Sequence, residues 1–316
     1  MRIYRHFRDV AGTARGAAAA LGNFDGVHRG HQALLEETGR LARAGNTPFA
    51  ALVFEPSPRE FFRPDAEPYR LTPLRAKARL LAGLGVDELF VLEFDAKLAA
   101  TLAQDFVLDV LVKELAVRHV VVGEDFRFGK GRAGDATVLA YMGEMEGFGV
   151  TVFPALSDGK EAKISSSRIR AALREGKPEE AARLLGHWWS VEGHVAHGDK
   201  RAETLGHPTA NMTLAGTLQP IFGVYAVRAY IGAEENPRDG VANFGRRPTF
   251  GAGAPLFEVH LFDYSGDLYG ALLRVELIAF LRAEKKFENV EALKRQIAAD
   301  SAQARALLKQ SGRSPI

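Results

Sequence analysis

Apolar positions along this chain follow two regimes that meet near residue 186. Before that point, short apolar runs without alternation are separated by segments of helical period. Residues 17–23 (AAAALGN), 48–54 (PFAALVF), 88–92, 118–122 (RHVVV) and 150–153 read as strands. Residues 31–44, 73–84, 103–115, 135–147, 165–174 and 178–185 read as helices, with Pro73 where a first turn tolerates it. Continuous apolar strands are what a parallel sheet covered on both faces requires, because neither side of such a strand meets water. Their alternation with helices predicts a doubly wound α/β sheet.

Beyond residue 186 the period shortens to two. Residues 188–197 (WWSVEGHVAH), 256–262, 272–281 and parts of 223–231 alternate, and Gly-, Pro- and Asn-rich stretches separate them at 205–211, 216–223, 236–240 and 245–253. Several short strands in series predict a small antiparallel barrel or sandwich, of which the barrel is the form expected here. Residues 289–310 close the chain as an amphipathic helix with Val290, Leu293, Ile297, Ala304 and Leu307 near one face. Two domains follow, 1–186 and 187–316, with no low-complexity linker between them.

Composition adds limits. With 316 residues, 47% hydrophobic and 25% charged, the chain has globular composition and enough length for two cores. Forty-one Lys and Arg against 39 Asp and Glu leave +2 and no basic run, which argues against nucleic acid or a membrane surface as partner. The absence of cysteine excludes disulfides and thiolate catalysis. The N-terminal MRIYRHFRDVAG has no apolar core of a signal peptide, so a cytoplasmic protein is expected. Oligomeric state is left open.

The strongest chemical signal is Gly22-Asn23-Phe24-Asp25-Gly26-Val27-His28-Arg29-Gly30-His31, between the first strand and the first helix. Ligands of open α/β sheets bind beyond the carboxyl ends of the strands, and a helix N-terminus there favours phosphate. Gly26 and Gly30 allow close backbone approach, and His28 and His31, three apart, can share a helix face and both donate to phosphate oxygens. A zinc site on the pair lacks an evident third ligand. Ser166, Ser167 and Arg168 place hydroxyls and a cation at another helix start, which suits an anion but equally suits a helix cap. Gly129-Lys130-Gly131-Arg132-Ala133-Gly134 matches the dinucleotide pattern GxGxxG, yet it lies six residues beyond a strand and reads instead as a ligand loop. In the second half, His194 and His197 are three apart on a strand and point to opposite faces, so they do not share a ligand. Pro208-Thr209-Ala210-Asn211 offers a rigid turn with two oxygen donors suited to Mg²⁺ or phosphate.

GNFDGVHRGH resembles the signature of the HxGH nucleotidyltransferases, in the variant of the prokaryotic bifunctional riboflavin kinase/FAD synthetase family. FEPSPREFF (54–62), LTPLRAKARLL (71–81), VGEDFRFGKGRAGD (122–135) and ISSSRIRAAL (164–173) resemble further blocks of its FAD synthetase half. GHVAHG (193–198), LGHPTAN (205–211), GVYAV (223–227), GVANFGRRPTFG (240–251), FEVHLFDYSGDLYG (257–270) and FLRAEKKF (280–287) resemble its kinase half. The resemblance implies that Gly22, Phe24, Asp25, Gly26, Gly30, Ser166, Ser167 and Arg168 bind ATP phosphates together with His28 and His31. It implies a kinase in which Thr209 and Asn211 hold Mg²⁺ and ATP phosphates and Glu258 is the base. Phe62, Asp125, Arg127 and Phe128 in the first half, and Asn243, Arg247 and Thr249 in the second, are the expected flavin or ligand contacts. ATP is the co-substrate of both steps; riboflavin, FMN and FAD are substrates or products.

The chain departs from the family pattern in one place, with Ala202-Glu203 where Gly-Arg is usual and His207 for Phe. A charge of the wrong sign near nucleotide phosphates predicts a slower kinase, by roughly ten- to a hundredfold, though Lys200 and Arg201 can supply the loop's positive charge. The alternatives are an FAD synthetase with a weakly active or inactive kinase module, an HxGH transferase for a nicotinamide or pantetheine phosphate, and a flavin sensor without turnover. The second leaves residues 188–287 unexplained. The third does not need His28, His31, Ser166 and Glu258 together.

Overall fold

A computed structural model describes residues 1–5, 12–159, 162–196, 209–214, 216–246 and 255–312. Contacts divide the chain into two compact units. The first is Met1–Glu67 with Thr72–Ser165; the second is Pro68–Leu71 with Ser166–Pro315.

In the first unit β1 (Arg2–Tyr4), β2 (Ala18–Leu21), β3 (Phe49–Glu55), β4 (Glu88–Glu93), β5 (His119–Gly123) and β8 (Gly149–Phe153) form one sheet in the order β1-β4-β3-β2-β5-β8. Every pairing in it is parallel. A two-stranded pair, β6 (Arg127–Phe128) and β7 (Gly134–Asp135), lies between β5 and β8 in sequence. The helices are α1 (Arg29–Ala44), α2 (Pro58–Phe62), α3 (Leu74–Gly83), α4 (Ala96–Ala100), α5 (Ala103–Asp105) and α6 (Ala136–Glu146). Successive strand side chains point to opposite faces, and the sheet uses both. Ala19, Leu21, Ala50, Leu52, Val120 and Val122 pack with Val107, Leu111 and Leu139 on one side. Ala18, Ala20, Ala51, Val53 and Val121 pack with Leu34 and Leu35 of α1 and Leu81 of α3 on the other. That two-faced burial is the doubly wound arrangement the continuous apolar runs predict.

Two local differences from expectation have physical causes. The helix expected over 103–115 is one turn of α5 followed by a π-helix, Phe106–Glu114, closed by the Leu115 N–H donating to the Val110 carbonyl five residues back. The GxGxxG segment is no strand-to-helix turn. It connects β6 to β7 as a hairpin whose first and last glycines abut Ala103: a Cβ on Gly129 would stand 2.6 Å from the Ala103 backbone.

The second unit begins with α7 (Ser166–Arg174) and α8 (Pro178–Leu185). It continues with β9 (Ser190–His194), β10 (Ala210–Thr213), β11 (Gly223–Ile231), β12 (Arg238–Gly245), β13 (Leu256–Leu261) and β14 (Leu272–Arg282). The six strands order as β10-β13-β12-β11-β14-β9, all antiparallel, and an Ala196–Asn211 bridge nearly closes the ring into a barrel. Cross-strand partners Phe244 and Phe257 stack at 4.7 Å inside, beside buried Tyr225. On the opposite face of the strands, Ala226 and Ile278 pack under Ala304 and Leu308 of α9 (Val290–Gln310). The α9 stripe is therefore displaced from the expected one: Val290 is exposed, and Asp300 is buried because Arg282 meets its carboxylate through two guanidinium nitrogens at 2.8–3.1 Å.

Candidate functional site

From β2 the chain winds through β3 and β4 toward one edge of the sheet, whereas β5 and β8 build toward the other. The reversal falls between β2 and β5, and crevices at such switch points are where open α/β sheets bind ligands. Residues 22–28 leave β2 there and lead into α1, and the segment after Gly123 leaves β5 beside them.

The loop after β2 is strained. Phe24 (φ 44°), Gly26 (φ 86°) and Val27 (φ 43°) all occupy the left-handed region, and Val27 is β-branched and fully buried. The two non-glycine residues, Phe24 and Val27, cost about 1–3 kcal/mol each and persist only when their surroundings hold them. The strain delivers His28 to the N-cap of α1, where its Nδ1 accepts the His31 backbone N–H at 3.3 Å. A neutral ring that accepts at Nδ1 carries its proton on Nε2, so its second nitrogen is a donor. The His28 and His31 rings stack at 3.6 Å, as their spacing on one face predicts. Gly30 is tight against them: a Cβ there would stand 3.2 Å from His28 Cε1.

His31 titrates well below the ordinary histidine value of 6.5, held down by burial, then by His28 and by Lys77. Lys77 is itself 4% exposed and carried by α3. The unfolded chain takes up this proton as pH falls through 6.5 while the folded ring does not, so His31 costs stability on the acid side. His119, lowered by its own burial, acts in the same sense. Taking the protein from about pH 7.5 to about pH 5.5 should lower Tm, and His31→Gln should flatten that slope without abolishing it. A slope identical to wild type would remove His31 as a source.

Beyond the pair, a cavity of ≈ 660 Å³ opens, lined by Leu21, Gly22, Asn23, Phe24 and His31 from the β2 side and by Gly123, Asp125, Arg127 and Phe128 from the β5 side. Its volume is that of a typical small-molecule site. Phe54, Phe62, Phe94, Phe106 and Phe126 make its walls aromatic. Of the two expected stacking residues, Phe128 is buried and stacked on Phe126 at 5.6 Å, whereas Phe62 is 64% exposed and meets Phe61 and Phe94 edge-on. Asp125 binds Lys163 at 2.7 Å, and that hydrogen bond, against the opposing effect of partial burial, holds its carboxyl below the ordinary value. Arg127 is exposed, with Nη1 donating to the Phe126 carbonyl. Asp25 turns instead to Thr72, whose N–H and hydroxyl both donate to its Oδ1. Sequence reasoning did not single out Thr72, Lys77, Arg59, Arg132 or most of the aromatic wall; the blocks 54–62, 71–81 and 122–135 contain several of them, but nothing local says that they meet at one site.

In the second unit, Ser166, Ser167 and Arg168 form the first turn of α7, with Arg168 Nη2 4.0 Å from Glu180 Oε1. On the barrel, Glu258 of β13 pairs in register with Asn211 of β10 on one side and Asn243 of β12 on the other. Directly opposed residues of antiparallel strands project to the same face, so three residues singled out separately form one row across three strands. Thr209 precedes β10 by one residue, two before Asn211 and thus on its side of an extended chain. The hydroxyl, amide and carboxylate oxygens of this row are hard donors of the kind Mg²⁺ accepts. His194 Nδ1 donates to the Gly270 carbonyl at 3.0 Å. His197, Ala202, Glu203, His207, Arg247 and Thr249 lie outside the described residues.

Comparison with known proteins follows the same division. The FAD synthetase family profile matches residues 11–168 and the riboflavin kinase profile residues 185–308. A bifunctional riboflavin kinase/FMN adenylyltransferase of Escherichia coli (strain K12) is 44% identical over 306 residues, spanning 96% of this chain and 97% of that protein. One of Pseudomonas fluorescens is 43% identical over 309 residues, spanning 97% and 98%. A crystal structure described as a macrolide-efflux protein from Streptococcus pneumoniae matches with TM-score 0.84 and 32% identity over 96% of this chain and 98% of that one. Among the described residues, no helix here is long and apolar enough to cross a membrane.

Proposed function

The chain belongs to the family of bifunctional riboflavin kinases/FMN adenylyltransferases, and from that premise we propose that it converts riboflavin to FMN and FMN to FAD, using one ATP in each step. Residues 1–186 are assigned to adenylyl transfer and 187–316 to phosphorylation. The observation that carries the first assignment is the convergence, at the sheet's switch point, of an aromatic-walled cavity of ≈ 660 Å³ with a stacked histidine pair on a helix N-terminus. A planar ring fits one end of such a site and phosphate the other.

In adenylyl transfer a phosphate oxygen of FMN attacks the α-phosphorus of ATP and the bond to pyrophosphate breaks. No proton need leave the nucleophile, so the protein's part is to position the reactants and stabilise charge. Gly22, Phe24, Gly26 and Gly30 shape the loop around the phosphates, His28 Nε2–H and the α1 N-terminus donate to their oxygens, and His31 contributes as a neutral ring. Phe62 and Phe128 contact the flavin, with Asp125 and Arg127 at the same rim. Ser166, Ser167 and Arg168 are assigned to anion binding at the start of α7.

In the kinase step the ribityl 5′-hydroxyl attacks the γ-phosphorus and ADP leaves. Glu258 accepts the hydroxyl proton, Thr209 and Asn211 hold Mg²⁺ and ATP phosphates, and Asn243 and Arg247 orient the flavin. Bound Mg²⁺ neutralises phosphate charge. The slower kinase expected from Ala202-Glu203 stands on sequence alone, and the presence of Asn211 and Glu258 in one row supports an active rather than a vestigial module. Composition supports a cytoplasmic enzyme whose partners are small molecules rather than nucleic acid or membrane.

Flavin product analysis by chromatography tests the proposal. With Mg-ATP, riboflavin and FMN should each yield FAD, with FMN transient when riboflavin is supplied. FAD from FMN alone would remove the kinase half; no FAD from either would sink the reading.

A further inference from the structure

The strained turn that carries the histidines must be held by something outside itself, and α3's approach supplies the holder. We infer that Thr72 is a positioning residue for the His28–His31 pair, an inference that rests on the adenylyl-transfer reading of that site. Thr72 is 4% exposed and stands directly before Pro73, the N-cap of α3. Its Oγ1 accepts the buried Gly26 N–H at 2.9 Å and donates to Asp25 Oδ1 at 3.3 Å, while its own N–H donates to the same Oδ1 at 3.0 Å. One side chain, forty-six residues away in sequence from Gly26, thus grips two consecutive residues in the middle of the left-handed turn.

Both neighbours of that grip lead to the histidines. Across the gripped residues, the Val27 N–H closes the turn by donating back to the Phe24 carbonyl at 3.1 Å. Downstream, Gln32 Nε2 donates to the Val27 carbonyl at 2.7 Å, and the next residue is His28, capping α1. Phe24 meets the His31 ring edge-on at 5.3 Å. Displacing Gly26 therefore shifts the residues on which both rings rest. Asp25, which the sequence motif suggests as a phosphate contact, acts here as the other half of the clamp.

The test separates holding from folding. Thr72→Val keeps volume and β-branching but leaves the Gly26 N–H buried without its acceptor; Thr72→Ser keeps the hydroxyl. In the full chain, Thr72→Val should lower kcat for FAD formation from FMN by roughly ten- to a hundredfold, the scale of small misplacements in a positioned reaction. KM for FMN and ATP should stay within about threefold, and riboflavin phosphorylation within about twofold. Thr72→Ser should recover most of the loss. Independently of turnover, the ¹⁵N imidazole resonances of His28 and His31 should move in Thr72→Val while those of His194 stay in place. Unchanged turnover in Thr72→Val, failure of Thr72→Ser to rescue, a parallel fall of the kinase rate, or His28 and His31 resonances at wild-type positions would each overturn the inference. A wild-type protein that makes no FAD from FMN would instead defeat the underlying reading, and the resonances would then decide the positioning by themselves.

Discussion

Replacing His28 by asparagine should lower FAD formation from FMN by roughly 10²–10³-fold while the conversion of riboflavin to FMN proceeds at its wild-type rate. The choice of asparagine separates two jobs that the imidazole does at once. As the N-cap of α1, His28 accepts the His31 N–H through Nδ1, and asparagine is among the best residues for that job. What it cannot do is extend a donor to where Nε2 stands, because its side chain ends one ring too short. The helix should therefore remain in place and Tm change little, while the donor to the phosphate oxygens is lost. Since no proton transfer is required of this residue, the whole effect comes from charge stabilisation in the transition state, and it should fall on kcat more than on KM. Steady-state kinetics with FMN and riboflavin in parallel check this. Adenylyl transfer within about threefold of wild type would take His28 out of the phosphate site and leave it a helix cap.

How much of this site could be read in the sequence depends on how local each feature is. The decapeptide at 22–31 was legible because strand end, turn glycines and histidines at helical spacing are contiguous, and the structure stacks the rings as that spacing requires. The doubly wound sheet was legible from runs such as AAAL at 18–21, whose alternate residues enter two different cores. Strand order was not, because nothing in three residues such as Arg2–Tyr4 announces a parallel edge beside β4. β12 was hidden for another reason. Gly240 reads as a turn residue, yet it sits inside the strand because a Cβ there would meet the His260 carbonyl oxygen at 2.4 Å. The aromatic wall, the Thr72 clamp and buried Lys77 depend on contacts between α2, α3, the π-helix and the β2 loop, which only tertiary packing brings together. The row Asn211–Glu258–Asn243 is a matter of register, and register is set across loops whose length gives no phase.

That row leads to the complementary experiment. Glu258→Gln preserves size, strand position and the ability to hydrogen-bond, and removes only the capacity to take a proton. Riboflavin phosphorylation should fall by roughly 10²–10⁴-fold, the usual contribution of a positioned general base, while FAD formation from supplied FMN continues at the wild-type rate. Phe257 and Val259, which flank Glu258 and are buried on the other face of β13, are untouched by the change, so the barrel should melt as before. Phosphorylation within about tenfold of wild type would deny Glu258 the role of base. The two variants also test each other. His28→Asn should stop at FMN when given riboflavin, and Glu258→Gln should make FAD only when given FMN. Mixed together with riboflavin and Mg-ATP, they should produce FAD after a lag that shortens as the Glu258→Gln chain is made more concentrated, because FMN released by one chain is then captured by the other. If each variant keeps its own half-reaction and the mixture still yields no FAD, FMN does not leave the chain that makes it, and the two reactions are joined by more than a shared polypeptide.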